Sequence, residues 1–477
     1  MYDVIVVGGG SAGAAVAARL SEDPARRVLL LEAGLDWRAD EAPWEVRTPN
    51  PIPIIHKREY QEKWQWPNLL TRRVAGQEPR FYWRGKGLGG SSMMNGQIAI
   101  RGVADAFDEW AAGGCTGWSA KEVMPLFSVI EDDFEFGDSA GHGRGGPLPV
   151  YRAPPEKWGP IDRGMRDAAL ASGYPWCADL NGPDGEGVAC YPINSRDGRR
   201  ITTNEAYLEP ARGRANLEIR GRALVDRLLI RDGRATGVLV HIEGQGSSEI
   251  SAREIVLCAG AIHSPAILLR SGLDHPTTGR GIHEQIGYYA EAELDGLDHF
   301  DGGTLTTGLN YSLYDGDFRR TDASALLYFE NRWVHGLRRT YGRWRQVLPL
   351  TIAVEDLPQD DNRVLLDADG MPVVHHARNS EYGERGVQRS FDQLARVLAP
   401  LPVERIVFRG LRPTESHVQG SLRMGRDPAN SVVDADQVHD AVRNLVVVGS
   451  SVFPTGPCAN PSLTVAAMSL RSAERVV

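Results

Sequence analysis

Val4-Ile5-Val6-Val7-Gly8-Gly9-Gly10-Ser11-Ala12-Gly13-Ala14-Ala15-Val16-Ala17-Ala18-Arg19-Leu20 opens the chain after three residues. Four β-branched residues in a row read as a strand buried on both faces. The glycines after them read as a tight turn, and the small-residue run from Ala14 to Leu20 has helical composition. Asp23-Pro24 ends that helix, and Val28-Leu29-Leu30-Leu31 reads as a second buried strand that stops at Glu32. The first 32 residues therefore predict a βαβ unit. Gly8, Gly10 and Gly13 hold the GxGxxG positions, where backbone N–H groups and a helix N-terminus face a pyrophosphate and a Cβ would block the approach. Ser11 and Ala12 belong to the same turn. Glu32, 19 residues beyond Gly13, ends the next strand where a carboxylate can accept hydrogen bonds from ribose hydroxyls, with Ala33 beside it. Strand, turn, helix, strand and acid in that order point to a bound dinucleotide, nicotinamide or flavin.

Further along, residues 36–85 are irregular and rich in Trp, Pro and Arg, which predicts an extended surface loop. Ile255-Val256-Leu257, the turn Ala259-Gly260-Ala261 and a helix from Pro265 predict a second strand-turn-helix on the same sheet. Between about 304 and 367, short alternating runs bounded by Asp, Gly, Asn and Pro predict an antiparallel sheet. Val387, Phe391, Leu394 and Leu398 fall on one face of a helix that would cover it. Leu445-Val446-Val447-Val448-Gly449 and a helix from Pro461 bring the chain back to the first lobe. The order of elements predicts a mixed α/β protein: a Rossmann-like nucleotide lobe made of discontinuous segments, 1–150, 194–290 and 411–477, with an antiparallel-sheet lobe, 151–193 and 291–410, inserted.

Composition removes several function classes. The 477 residues are 42% hydrophobic and 24% charged, which is globular. Fifty-three basic against 62 acidic residues give a net charge of -9, with no basic block to neutralise phosphates, so nucleic acid is not an expected partner. No apolar run approaches the roughly 20 residues of a membrane-spanning helix. Cys115, Cys177, Cys190, Cys258 and Cys458 are odd in number and scattered, which suits neither a disulfide framework nor a metal site. With Met1-Tyr2-Asp3 leading straight into the first strand, the sequence predicts a cytoplasmic protein.

Three later stretches decide the cofactor. Gly85-Lys86-Gly87-Leu88-Gly89-Gly90-Ser91-Ser92-Met93-Met94-Asn95-Gly96, then Arg101-Gly102, resembles the first signature of the glucose-methanol-choline oxidoreductases. Gly260-Ala261-Ile262-His263-Ser264-Pro265, ending in Leu268-Leu269-Arg270-Ser271-Gly272, resembles the second. His417-Val418-Gln419-Gly420-Ser421, Met424-Gly425, Val432-Val433-Asp434, Asn444-Leu445 and Asn460-Pro461 with Thr464 resemble the C-terminal block. The resemblance implies FAD in the discontinuous lobe and a small-molecule alcohol against the other. Carried over by position, Gly87, Gly90, Ser91, Asn95 and Gly96 line the flavin, with Asn95 and Gly96 beside the isoalloxazine. Val225 lies by the adenine, and Ala259 and Gly260, at the turn that opens the second signature, are also expected to bind the cofactor. Ser451, Pro461 and Thr464 sit, with Asn460, near the pyrimidine side. Where some relatives carry the His that tethers FAD covalently, this chain has Met94, so non-covalent FAD is expected. Gly420-Ser421 stands for the more usual Gly-Thr, and Gly449 for a frequent Asp.

His417 and Asn460 are 43 residues apart, close to the family spacing of its catalytic His and its Asn or His partner. Oxidising an alcohol removes a hydroxyl proton and an α-hydride, and flavin N5 takes only the hydride. His417 is thus expected to act as base, on a rate that rises with pH as an imidazole of ordinary pKa near 6.5 loses its proton. Asn460 would orient the hydroxyl. The other eleven histidines read as core or surface residues. Glu355, in a pattern similar to the sugar-oxidising branch, is expected in the pocket, and the resemblance of the last sixty or so residues favours a sugar, polyol or sugar-bearing metabolite. Small aryl or alkyl alcohols stay open, as does a hydroxynitrile-lyase-type cleavage without net redox. The electron acceptor, whether oxygen, a quinone or a redox carrier, is not written in these motifs, and no metal site is expected.

Overall fold

In the computed structural model the described residues are 1–476 except 68, 73–79, 184, 296–306, 311–316, 330–346 and 413–415. The opening stretch folds as its composition dictates. Strand Tyr2–Val7, helix Ser11–Leu20 and strand Val28–Leu31 form a parallel βαβ unit in the register Val4 to Val28 through Val7 to Leu31. A Cβ added to Gly13 would lie 1.8 Å from the Gly8 carbonyl oxygen, so only glycine lets this helix seat on its strand.

Six further strands complete an eight-stranded sheet. Leu217–Arg220 pairs parallel with Val28–Leu31 on one side, and Gly246–Leu257 pairs parallel with Tyr2–Val7 on the other. Val442–Val447 then pairs parallel with the last residues of that long strand, and the short Val438–His439 pairs with it. The first half of Gly246–Leu257 leaves the parallel sheet and joins an antiparallel meander with Arg234–Ile242 and Ala223–Arg231. Helix Ser11–Leu20 packs on the first two strands and against helix Pro461–Glu474, and strand residues Val4 to Val7 and Val28 to Leu31 are buried.

The second sheet is antiparallel and six-stranded, in the order Val403–Leu411, Ile286–Leu294, Val347–Val354, Ala325–Phe329, Thr307–Asn310 and Gly187–Cys190. Part of the interval 304–367 lies outside the described residues. Helix Glu381–Leu398 covers this sheet through Leu394, Val397 and Leu398, and Phe391 stacks on Tyr288 with ring centroids 4.6 Å apart. A boundary at residue 290 falls inside strand Ile286–Leu294, whose alternate residues Ile286, Tyr288, Ala290, Ala292 and Leu294 face this second core.

Two sequence expectations differ from the structure. Residues 36–85 carry helices Trp44–Arg47, Ile52–His56 and Arg58–Trp64 rather than loop alone. These short segments are held by tertiary burial of Ile54, Ile55 and Trp64, and Gln65 Nε2 donates to the Ile54 and Ile55 carbonyls. The helix expected from Pro265 begins at Gly260, with Pro265 inside it. Proline has no N–H for the Ala261 carbonyl four residues back, and Ser421 Oγ donates to that oxygen instead at 2.6 Å. The hydroxyl of the Gly-Ser pair thus ties the C-terminal block to the second signature.

Candidate active site

The loops at the ends of the parallel strands converge on one large cavity. Gly8, Gly10, Ser11 and Ala12 line it from the first turn, Glu32 and Ala33 from the second strand, and Gly90, Ser91, Asn95 and Gly96 from the first signature. Val225, Ala259, Gly260, Pro461, His417 and Asn460 complete the expected set that it brings together.

Several local features fit FAD. Helix Ser11–Leu20 starts at Gly10 without a side-chain cap, leaving N–H groups for an anion at its N-terminus. A Cβ at Gly10 would meet only Gly90 Cα, at 3.8 Å, and so would project into the cavity. Glu32 is 7% exposed, and its carboxylate accepts from the backbone N–H groups of Gly9 (2.8 Å), Gly34 (2.8 Å) and Gly87 (2.9 Å). Two of these bonds are on Oε1 and one on Oε2, which leaves Oε2 a lone pair for a ribose hydroxyl. Asn95 is fixed by Arg200, whose wholly buried guanidinium donates to Asn95 Oδ1 at 2.7 Å and to the Ser92 carbonyl at 3.1 Å. Burial pushes the Arg200 pKa down to about 9. Met94 lines the cavity with a thioether.

Other expected positions lie elsewhere. Gly13 and Gly87 do not line the cavity; the first seats the helix and the second donates to Glu32. Ser451 and Thr464 are wholly buried behind it, and Ser451 serves through its carbonyl, which accepts from Leu422 N–H at 2.8 Å. Glu355 is a correction. It is 2% exposed, does not line the cavity, and binds Arg319 (2.9 Å), Ser324 Oγ (2.8 Å) and Tyr382 Oη (3.2 Å). A buried carboxylate needs such partners, and they hold it under the antiparallel sheet.

His417 follows a strained turn. Ser416 has φ +60°; its N–H donates to Glu284 Oε2 at 3.0 Å and its carbonyl accepts from Arg84. The segment after it is clamped to residues 450–452, with Gly420 N–H to Ser450 O (2.9 Å) and Met424 N–H to Val452 O (2.9 Å). On the imidazole, Nε2 lies 3.2 Å from Asn460 Nδ2 and Nδ1 lies 2.6 Å from Gln285 Oε1. Tyr328 Oη donates to Asn460 Oδ1 at 3.3 Å. Burial, reinforced by the positive charges of Arg84 and Arg412, pushes the His417 pKa down to about 3. The imidazole is therefore neutral throughout the physiological range, where an ordinary histidine would titrate. A neutral nitrogen beside an amide donor can accept a hydroxyl proton while the amide holds the oxygen.

Sequence reasoning did not find Gln285, Tyr328, Arg84, Arg412 or Arg200. Gln285, just before strand Ile286–Leu294, and Tyr328, in strand Ala325–Phe329, each lie 132 residues from the partner they bind, and no spacing rule connects them.

Residues 2–287 and 358–469 match the N-terminal and C-terminal models of GMC oxidoreductase. The chain belongs to that family and is an FAD-dependent oxidoreductase acting on alcohols. It is 30% identical, over 100% of its length and 99% of the other's, to 5-(hydroxymethyl)furfural oxidase of Methylovorus sp. (strain MP688). It is 39% identical, over 95% of each chain, to pyridoxine 4-oxidase of Microbacterium luteolum. The crystal structure of pyridoxine 4-oxidase from Mesorbium loti superposes with a TM-score of 0.86 at 27% identity, covering 99% of both chains. No helix among the described residues is long and apolar enough to cross a membrane.

Proposed function

We propose that this chain oxidises a primary alcohol borne on an aromatic or heteroaromatic ring to the aldehyde, with FAD bound non-covalently and His417 as base. The observation that carries this reading is the meeting of His417 Nε2 and Asn460 Nδ2, 3.2 Å apart, in the cavity lined by the GxGxxG turn and the Gly90–Gly96 loop. Bound FAD supplies the acceptor for the α-hydride. His417 Nε2 takes the hydroxyl proton as the C–O bond becomes C=O, and Asn460 Nδ2 donates to the substrate oxygen. Both relatives named above act, by name, on a hydroxymethyl group attached to a ring. Trp66, Trp83 and Tyr328 line the cavity and give such a ring flat surfaces to stack on. Glu355 gives a sugar no carboxylate here, since it is held by Arg319, Ser324 and Tyr382. Met94 offers no imidazole to the flavin, which supports a cofactor held by the loops alone.

The test is anaerobic mixing of the yellow holoenzyme with 5-(hydroxymethyl)furfural, pyridoxine, benzyl alcohol, choline and glucose, followed by air. Bleaching by the ring alcohols with aldehyde formed is the expected result. Fastest bleaching by glucose or choline would overturn the substrate class, and product release without bleaching would turn the reading to a lyase. Recovery of colour in air identifies oxygen as acceptor, and persistent bleaching identifies another carrier. Acid precipitation should leave the flavin in the supernatant; flavin in the pellet contradicts the non-covalent reading.

A further inference from the structure

His417 can serve as base only if the proton of its neutral ring sits on Nδ1 and the lone pair on Nε2. We propose that Gln285 is the positioning residue that fixes this tautomer. The inference rests on the reading of His417 as base. Gln285 immediately precedes strand Ile286–Leu294, is 2% exposed and does not line the cavity, so it meets neither substrate nor cofactor.

Its amide can face only one way. Nε2 is surrounded by the carbonyl oxygens of Pro457 (3.4 Å), Cys458 and Ala459 (3.3 Å). Turning the amide over would set its oxygen against these three acceptors with no hydrogen between them. With Nε2 committed to donating, Oε1 faces His417 Nδ1 at 2.6 Å as an acceptor. Nδ1 must then carry the proton, because two acceptors cannot share a bond without one. The lone pair is left on Nε2, on the side of Asn460. Asn460 obeys the same logic, since Tyr328 Oη donates to its Oδ1 and leaves Nδ2 to face His417. The three carbonyls that orient Gln285 immediately precede Asn460 in the chain, so one amide sets the base and ties it to the loop that carries its partner.

The arrangement also differs from a carboxylate-histidine pair. A neutral amide orients the ring without stabilising its cation, which keeps the base unprotonated in the resting protein.

The test uses the FAD-loaded protein with the alcohol that bleaches it fastest in the panel above. Gln285→Leu removes the acceptor and is expected to slow flavin reduction about 100-fold, with the bound flavin spectrum unchanged. Gln285→Glu restores an acceptor and adds a titration. Whether its proton sits on the carboxyl or the ring, the deprotonated pair is the better base, so its rate should rise with pH through an ionisation absent from the wild type. A Gln285→Leu variant reducing at the wild-type rate, or a Gln285→Glu profile superimposable on the wild type, overturns the proposal. An arm that needs no substrate is nitrogen NMR of holoenzyme labelled in its histidines, with His417→Ala identifying the signal. Protonated Nδ1 and bare Nε2 are expected in the wild type, and a mixture in Gln285→Leu. Protonated Nε2 in the wild type overturns the proposal. Full activity in His417→Ala would instead defeat the reading of the base and leave the NMR result standing.

Discussion

Two partly buried histidines in this protein have opposite surroundings, and one is a cation while the other is neutral. His142 lies among carboxylates: Nδ1 is 3.0 Å from Glu131 Oε1 and 3.6 Å from Asp133 Oδ2, and Nε2 is 2.8 Å from Asp179 Oδ2. Bonds to Asp133, Asp179 and Glu131 push its pKa up to about 10. Arg101 pairs with Glu131 at 2.6 Å and Arg152 with Asp133 and Asp179 at 3.0 and 2.6 Å, so three cations match three anions. Glu131, Asp133 and His142 bring ligand atoms within 4.8 Å of one another, yet these atoms are already satisfied by protons and guanidinium groups. His417 has two amides and two nearby arginines, and its pKa goes down to about 3. The comparison teaches that burial alone does not decide what a histidine does. Carboxylate partners make it a fixed cation that crosslinks the fold, whereas amide partners keep it neutral with a nitrogen free for chemistry.

Exchanging the roles gives the largest expected effect. His417→Ala should slow flavin reduction by about 10²- to 10⁴-fold while FAD stays bound, measured by anaerobic stopped-flow. His142→Ala should leave that rate unchanged and, by exposing an unmatched buried anion, destabilise the fold by about 3 kcal/mol, measured by denaturant unfolding. Next in size is Asn460→Asp. A carboxylate near His417 Nε2 should raise the imidazole pKa and bring a protonation into the working range, so that the rate falls as pH drops through it. An unaltered profile would show that position 460 does not face the base. Glu32→Ala should weaken FAD binding, read from flavin fluorescence on dilution, with an unchanged reduction rate at saturating FAD.

The sequence carried the nucleotide lobe nearly whole, because its information is local. The run Val4–Val7, the glycine spacing and Glu32 specify strand, turn and acid within a few dozen residues, and the structure places them accordingly. His417 and Asn460 were legible through the resemblance, and the cavity brings them together. What was not legible depends on contacts between distant strands. Glu355 reads as a pocket acid until Arg319 and Tyr382 appear beside it. The depression of the His417 pKa, which replaces an expected titration near 6.5, comes from burial and from Arg84 and Arg412, and no motif encodes these. His142 carries no signal at all in the sequence, since Glu131, Asp133 and Asp179 become its neighbours only through folding.

A smaller effect follows from the same contrast on stability. His263 and His417, both pushed down to about 3, and His283 and His439, to about 4, resist protonation when folded but take up protons near pH 6.5 when unfolded. Their effect is a loss of stability as pH falls from about 6.5 toward 4. His142 acts in the other direction: its contribution is complete below pH 6.5 and is lost as pH rises toward 10. Unfolding midpoints of wild type and His142→Gln across this range should converge at the alkaline end.

The most direct test of the central claim, that His417 is a neutral base by virtue of its surroundings, is the rate of flavin reduction by a saturating ring alcohol between pH 5 and 8. The account predicts a flat profile, because the imidazole is already deprotonated throughout. A rate that climbs through an ionisation near pH 6.5 in the wild type and loses that step in His417→Ala would show an ordinary, solvated histidine and contradict it.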